Sequence, residues 1–215
     1  MITAGVDHVP KRCTWIIGID EAGRGPVAGP LSVGLVMIKR SAIVNLTDSM
    51  PLVRDSKKLS APKREQVMQD ARELESRGKF FARTILSSAH HVDELGTSHC
   101  LHSSIAEGIE ELIEYVGCDP KTVFIQLDGS LKAPAMYRQQ TFTGGDNKYF
   151  AISLASIYAK TTRDGVMEQY DIKYPQYNFY THKGYGTAEH MKNIKQHGMC
   201  PIHRRSFLKK LQCAV

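Results

Sequence analysis

In the stretch "GIDEAGRGPVAGP" (18–30), two carboxylates, Asp20 and Glu21, stand side by side after the apolar run "WII", and the turn Gly23-Arg24-Gly25 follows. Asp128 closes a second apolar run, "TVFIQLD", directly ahead of Gly129, and Asp146 follows Gly144-Gly145 just before a long helical stretch. Successive strand side chains face opposite sides, so Asp20 and Glu21 can share a site only where the strand ends and the glycine turn lets the chain swing. Carboxylates gathered at close range repel one another, and a divalent cation resolves the repulsion. Hard oxygen donors suit Mg²⁺ or Mn²⁺ rather than zinc. Two such ions can activate a water and stabilise the leaving oxygen of a phosphodiester. Taken singly, each acid also reads as an ordinary turn or cap residue. Only the four together carry the metal reading.

The elements that must position these acids can be read from periodicity. "TWIIGID" and "LSVGLVMI" (31–38) read as buried strands joined by the glycine-rich turn. Ser60 is placed to cap a helix through "APKREQVMQDARELESRG", with Pro62 in its first turn and Gly78 past its end. "KFFARTILS" (79–87) reads as a third strand; Leu101, Ile105, Ile109, Leu112, Ile113 and Val116 fall on one face of a helix. "TVFIQLD" and "RQQTFT" (138–143) supply two more strands. The stretch from Asn147 to Tyr174 reads as a long helix whose Ala151, Ala155, Ser156 and Ala159 suit close packing on a sheet, with Pro175 closing it. The class expected is α/β, a layered domain with a helical C-terminal appendage and its site at the strand ends.

The chain has 215 residues, 42% of them hydrophobic and 23% charged, enough for a packed core rather than a disordered chain. No run has the length of a membrane span, and the start "MITAGVDHVPKRC" lacks the apolar core of a signal peptide. Five scattered cysteines without a C-x-x-C pair point to a reducing, cytoplasmic compartment rather than a disulfide scaffold. The formal charge of +6 is concentrated at the C-terminal end. Residues 183–215 hold seven Lys or Arg and one acid, Glu189, so the rest of the chain is neutral. A basic tail on a neutral body suits a polyanion, although a solvated basic helix has the same composition.

Seven co-linear motifs together resemble bacterial ribonuclease HII, the type 2 ribonuclease H family. They are "GIDEAGRGP", "DSKKLS", "LDG", "GGD", "ASIYAKTTRD", "HKGYGT" and "HRRSF", running from about Trp15 to Phe207. The resemblance implies a ribonuclease-H-like mixed sheet flanked by helices (residues 1–174) and a small basic helical substrate-binding lobe (residues 175–215). It implies that Asp20, Glu21, Asp128 and Asp146 are the catalytic acids and the ligands of two Mn²⁺ or Mg²⁺ ions. By the same match, Gly23, Arg24 and Gly25 read the ribose 2′-hydroxyl and hold a phosphate, Tyr185 stacks beside the ribonucleotide, and Lys57 lies near the scissile phosphate. The implied substrates are RNA–DNA hybrids and duplex DNA containing ribonucleotides, cut by a monomer with no membrane attachment. No clamp-binding peptide is evident in "LKKLQCAV".

Other signals weigh less. Asp164 is an alternative fourth ligand, but it stands four residues after Lys160, where a helical ion pair is the ordinary explanation. His197, Cys200, His203 and Cys213 could form a zinc set, but no close cysteine pair anchors one. His182 and His190 flank Tyr185 and could shape its loop, while Trp15 and Phe207 read as core. The rival functions are a ribonuclease-H-fold nuclease acting on DNA alone, which would lack a 2′-hydroxyl reader, and a non-catalytic nucleic-acid-binding module.

Overall fold

The structure is a computed structural model that describes residues 2–53 and 59–209. Five strands form one mixed sheet: β1 (Trp15–Ala22), β2 (Leu31–Lys39), β3 (Phe81–Ser87), β4 (Val123–Asp128) and β5 (Arg138–Phe142). Their order is β3-β2-β1-β4-β5. The first three strands run as an antiparallel meander, and β4 and β5 join β1 in parallel. The helices are α1 (Ile43–Ser49), α2 (Ala61–Ser76), α3 (Ala89–Leu95), α4 (Thr97–Val116), α5 (Phe150–Lys173), α6 (Phe179–His182) and α7 (Ala188–His197).

Both faces of the sheet are covered, which explains why β1 and β2 read as unbroken apolar runs. On one face Ile16, Val36, Ile38 and Phe124 pack under α1, α2 and α5. On the other, Trp15, Ile17, Ile19, Leu35, Ile125 and Leu127 pack against Leu101, Ile105, Ile109 and Leu112 of α4. The small residues of α5 do what their spacing suggests. A Cβ at Gly18 would lie 2.5 Å from the Ile152 nitrogen, and one at Gly34 would lie 2.9 Å from the Ala159 nitrogen. The helix backbone therefore rests directly on β1 and β2.

Two short helices escape the periodic reading. The seven-residue α1 lies in what reads as a polar connection, and the equally short α3 follows β3 directly. Ser60 occupies the N-cap position of α2 without a side-chain cap bond; its carbonyl accepts from the Arg64 N–H at 2.9 Å. Beyond α5, a third apolar cluster joins Tyr177, Phe179, Ile194, Ile202 and Leu208 to Ala28 and Met167. The C-terminal helices are thus packed onto the glycine-rich turn after β1. Phe207, expected in the core, is 40% exposed and covers the Arg204 guanidinium at 5.3 Å.

Candidate active site

Sheet register explains why two of the acids meet. Ile19 of β1 pairs with Leu127 of β4, so Asp20 and Asp128 are next in line on adjacent parallel strands. Both have the parity of Gly18 and Phe124, which face α5. Glu21 has the opposite parity but lies where β1 ends, and it joins Asp20 and Asp128 in the wall of a cleft of about 380 Å³. Asp20 is 4% exposed and accepts from the Glu21 N–H at 2.8 Å. Burial, then the charges of Glu21 and Asp128, push its carboxyl well above the usual carboxylate range, against a hydrogen bond from Ser156. Burial also raises Glu21, while Arg24, 3.5 Å away, works in the opposite direction.

Asp128 is tied to the turn before α5 by the Gly145 N–H, which donates to its Oδ1 at 2.5 Å. That bond holds Gly145, the residue before Asp146, against Asp128. The Asp146 side chain is fully buried, accepts from Asn147 Nδ2 at 2.9 Å and does not line the cleft. Among the described residues, no three acidic, histidine or cysteine side chains already form a ligand set for a metal ion. The donor chemistry nonetheless fits a hard divalent cation: oxygen atoms only, with two carboxyls whose charge burial disfavours.

The rest of the cleft is cationic and glycine-lined. Gly23, Arg24, Gly25, Arg64, Lys160, Arg163 and Tyr185 share it with the three acids. Tyr185 is half exposed, and a Cβ on Gly25 would come within 4.0 Å of its ring, so turn and tyrosine face each other across a narrow gap. Lys57 lies outside the described residues. Asp164 receives Lys160 Nζ at 2.7 Å, the helical ion pair its spacing suggested, and stands 3.8 Å from Arg64. Periodicity marked Ser156 only as a small residue for close packing on the sheet and gave no signal for Arg64 or Arg163; Ser156 and Arg163 also lie inside "ASIYAKTTRD", to which the family resemblance drew attention.

Behind Tyr185 runs a chain of buried histidines. The Cys200 N–H donates to His203 Nδ1 at 2.9 Å, so His203 carries its proton on Nε2, which donates to His190 Nε2 at 3.0 Å. His190 Nδ1–H then donates to the Tyr185 carbonyl at 2.8 Å. His182 stacks on His190 with ring centroids 4.2 Å apart; it accepts from the Gly184 N–H and donates to the Tyr177 carbonyl. These rings are therefore structural members holding the tyrosine loop, not zinc ligands; Cys213 of the suggested zinc set lies outside the described residues.

Burial pushes both His190 and His203 down to about 4, with charge on His182 acting in the same direction. Their folded values lie below the ordinary 6.5, so the unfolded chain binds protons that the folded lobe refuses. The stability they contribute is fully present above pH 6.5 and is lost as pH falls toward about 4. The urea midpoint is expected to fall between pH 7 and pH 5, and His203→Gln to flatten that slope. An unchanged slope in the variant would mean that His203 does not refuse the proton.

A mixed sheet in this order, with carboxylates at the adjoining ends of β1 and β4, defines a ribonuclease-H-like nuclease architecture. The chain belongs to the ribonuclease HII family: the family model "Ribonuclease HII" matches residues 17–210. It is 40% identical over 195 residues to "Ribonuclease HII" of Aliarcobacter butzleri, covering 91% of each chain. It is 35% identical over 211 residues to that of Syntrophus aciditrophicus, covering 96% of this chain and 92% of the relative. Among solved structures, the ribonuclease H2 of Pyrococcus horikoshii superposes with a TM-score of 0.67 at 26% identity, covering 93% of this chain and 98% of that one. A similar fold, with a TM-score of 0.67 at 16% identity, is that of Bst-RNase HIII solved in complex with Mn²⁺, with 92% of this chain and 66% of that one covered. The protein is therefore a ribonuclease H-type endonuclease acting on nucleic acid. Among the described residues, no helix is long and apolar enough to cross a membrane.

Proposed function

We propose that the protein cuts the RNA strand of RNA–DNA hybrids and the 5′ side of single ribonucleotides embedded in duplex DNA. The products carry 5′-phosphate and 3′-hydroxyl ends, and the cut starts ribonucleotide removal from DNA in the cytoplasm. The single observation that carries this reading is that one cleft holds three carboxylates beside a glycine turn faced by an exposed tyrosine.

Asp20, Glu21 and Asp128 are assigned as ligands, with Asp146 entering the set from behind Asp128 through the turn at Gly145. Two Mg²⁺ or Mn²⁺ ions held there would supply an activated water and charge stabilisation at the leaving oxygen. Arg24, Arg64 and Lys160 offer cations to the phosphodiester on the same cleft. Gly23 and Gly25 let backbone groups reach the sugar, and the 2′-hydroxyl is the group that separates RNA from DNA at such a site. Tyr185 supplies the flat face against which the adjoining sugar or base packs. Residues 175–215 act as the substrate-binding lobe of a monomer, and Lys57 as a further phosphate contact. A nuclease for DNA alone would have no use for Gly23-Arg24-Gly25 facing Tyr185.

The test is cleavage of a duplex carrying one ribonucleotide in Mg²⁺, Mn²⁺ or chelator, with the cut mapped to the nucleotide. Cleavage 5′ of the ribonucleotide only when metal is present is the expected result; cutting of all-DNA duplexes at the same rate would overturn the reading. In the same assay, Tyr185→Ala is expected to lose about tenfold in kcat/KM at a single ribonucleotide, the scale of one stacking contact. The loss on a long hybrid should be smaller, because many registers are available there. Equal losses on both substrates would remove Tyr185 from the reader.

A further inference from the structure

The two largest fully buried side chains are both arginines, Arg163 (1% exposed) and Arg204 (0%). Neither has a carboxylate within salt-bridge distance among the described residues, although a buried cation is costly unless paired or fully hydrogen-bonded. Both spend their donors on backbone carbonyls, and nearly all of these belong to one short segment. Arg204 donates to Gly23 O at 2.8 Å, Arg24 O at 3.3 Å and Gly29 O at 3.0 Å. Arg163 donates to Pro30 O at 3.0 Å and Ala28 O at 3.2 Å, and across to Lys183 O at 2.9 Å in the tyrosine loop. Burial and the adjacent Arg163 charge lower Arg204 to about 10, which leaves it a cation at neutral pH.

This arrangement dictates where the other side of the turn points. In a trans peptide the C=O and the following N–H point in opposite directions, and the chain contains no cis bond among the described residues. With Gly23 O and Arg24 O drawn inward onto a guanidinium, the N–H groups of Arg24 and Gly25 face outward, into the cleft that both residues line. Neither N–H donates to any atom of the described residues. Gly23 is needed for this packing as well as for its φ of +86°, since a Cβ there would lie 2.7 Å from Pro30 O and against the Arg163 side chain. The turn is tied to the tyrosine loop by the Val27 and Ala28 N–H groups, which both donate to Gly184 O, and by Arg163, which bonds carbonyls of both loops.

We infer that Arg163 and Arg204 are positioning residues for ribose recognition: two buried guanidiniums that aim the Arg24 and Gly25 N–H groups at the substrate and lock that turn against the Tyr185 loop. They act through the turn: Arg204 does not line the cleft, and Arg163, at its edge, is 1% exposed. Their charge also lies directly beneath the outward-facing amides, and so favours an oxygen-rich group there. The inference rests on the reading of the cleft as a ribonucleotide-specific nuclease site and adds to it the source of the specificity.

Lysine keeps the charge at either position but lacks the planar fork that reaches several carbonyls at once. The test measures binding in Mg²⁺ to two duplexes, one with a single ribonucleotide and one all-DNA, in an Asp128→Asn background that prevents cleavage. In Arg204→Lys and Arg163→Lys the preference for the ribonucleotide duplex is expected to fall by about fivefold or more, the scale of one or two hydrogen bonds. Affinity for the all-DNA duplex, set by the exposed cations, should stay within about twofold. A purely structural role would lower the melting temperature and both affinities together. A discrimination ratio unchanged in both lysine variants overturns the proposal. Independently of any folding defect in the variants, the Arg24 and Gly25 amide resonances of the Asp128→Asn protein should shift with the ribonucleotide duplex and not with the all-DNA one; amides that ignore the ribose also overturn it. Equal binding of both duplexes by the Asp128→Asn protein with both arginines intact would sink the nuclease reading itself, and is told apart by that result.

Discussion

Asp20→Asn is expected to lower cleavage by about a thousandfold or more while raising the melting temperature of the metal-free protein. The two effects have one cause. Asp20 is almost fully buried between Glu21 and Asp128, and both burial and those charges disfavour its ionised form. Asparagine keeps the shape and can still accept from the Glu21 N–H, but removes the charge from a wall of three acids. In a domain of this size each kcal/mol of relief raises the melting temperature by about 2–4 °C. Added Mg²⁺ or Mn²⁺ should stabilise the parent, because an ion that binds only the folded state shifts the unfolding equilibrium by mass action, and should stabilise the variant much less. A residue retained for folding would show the reverse, losing stability together with activity. Near-normal turnover in Asp20→Asn, measured on a single-ribonucleotide duplex, would remove it from the reaction.

The parts of this site that could be read in the sequence are those written locally. Asp20, Glu21 and Asp128 each end an apolar run, and strand ends are where a layered α/β domain gathers its chemistry. The small residues of α5 announced a close approach to the sheet, and Gly18 and Gly34 meet it. The parts that escaped depend on partners more than a hundred residues away. Arg204 counts in the sequence as one of seven cations of a basic tail, yet it is spent internally on Gly23, Arg24 and Gly29. The motif "HRRSF" marks it for the family but not for burial, since a solvated arginine and one buried on carbonyls share the same local pattern. The histidines behind Tyr185 were legible in part: His182 and His190 read as shaping its loop, but the link to His203 forms only after α7 and the following turn fold onto Tyr177. Short α1 and α3 offer barely two turns each, too few for a helical period to separate from chance. Asp146 stands between the two cases. Its glycine turn was legible, but its side chain is fully buried and does not line the cleft.

Gly18→Ala is expected to cost about 3 kcal/mol or more, the range of a rigid overpacked core site. The glycine lies mid-strand in β1, where alanine is normally tolerated or preferred, so the cost comes wholly from what sits above it. An added Cβ would meet the Ala151 carbonyl and lie 2.5 Å from the Ile152 nitrogen, and backbone atoms cannot rotate aside as a side chain can. Nor can the start of α5 retreat freely. The Phe150 N–H is bonded to Thr3 O at 3.0 Å, and Ser153 Oγ donates to Val53 O at 2.6 Å. Any lift of α5 also carries Ser156 away from Asp20 and pulls on the Gly145 turn that holds Asp128, so metal-dependent stabilisation should weaken along with the fold. Gly165→Ala is the matching control within the same helix. A Cβ there meets nothing within 4 Å, and alanine is the better helix former, so that variant should gain up to about 1 kcal/mol. Thermal melts of the two variants, one change of a single methyl in each, should move in opposite directions. If Gly18→Ala melts at the parent temperature, α5 does not rest on the sheet backbone, and the close approach that sets Ser156 beside Asp20 is absent.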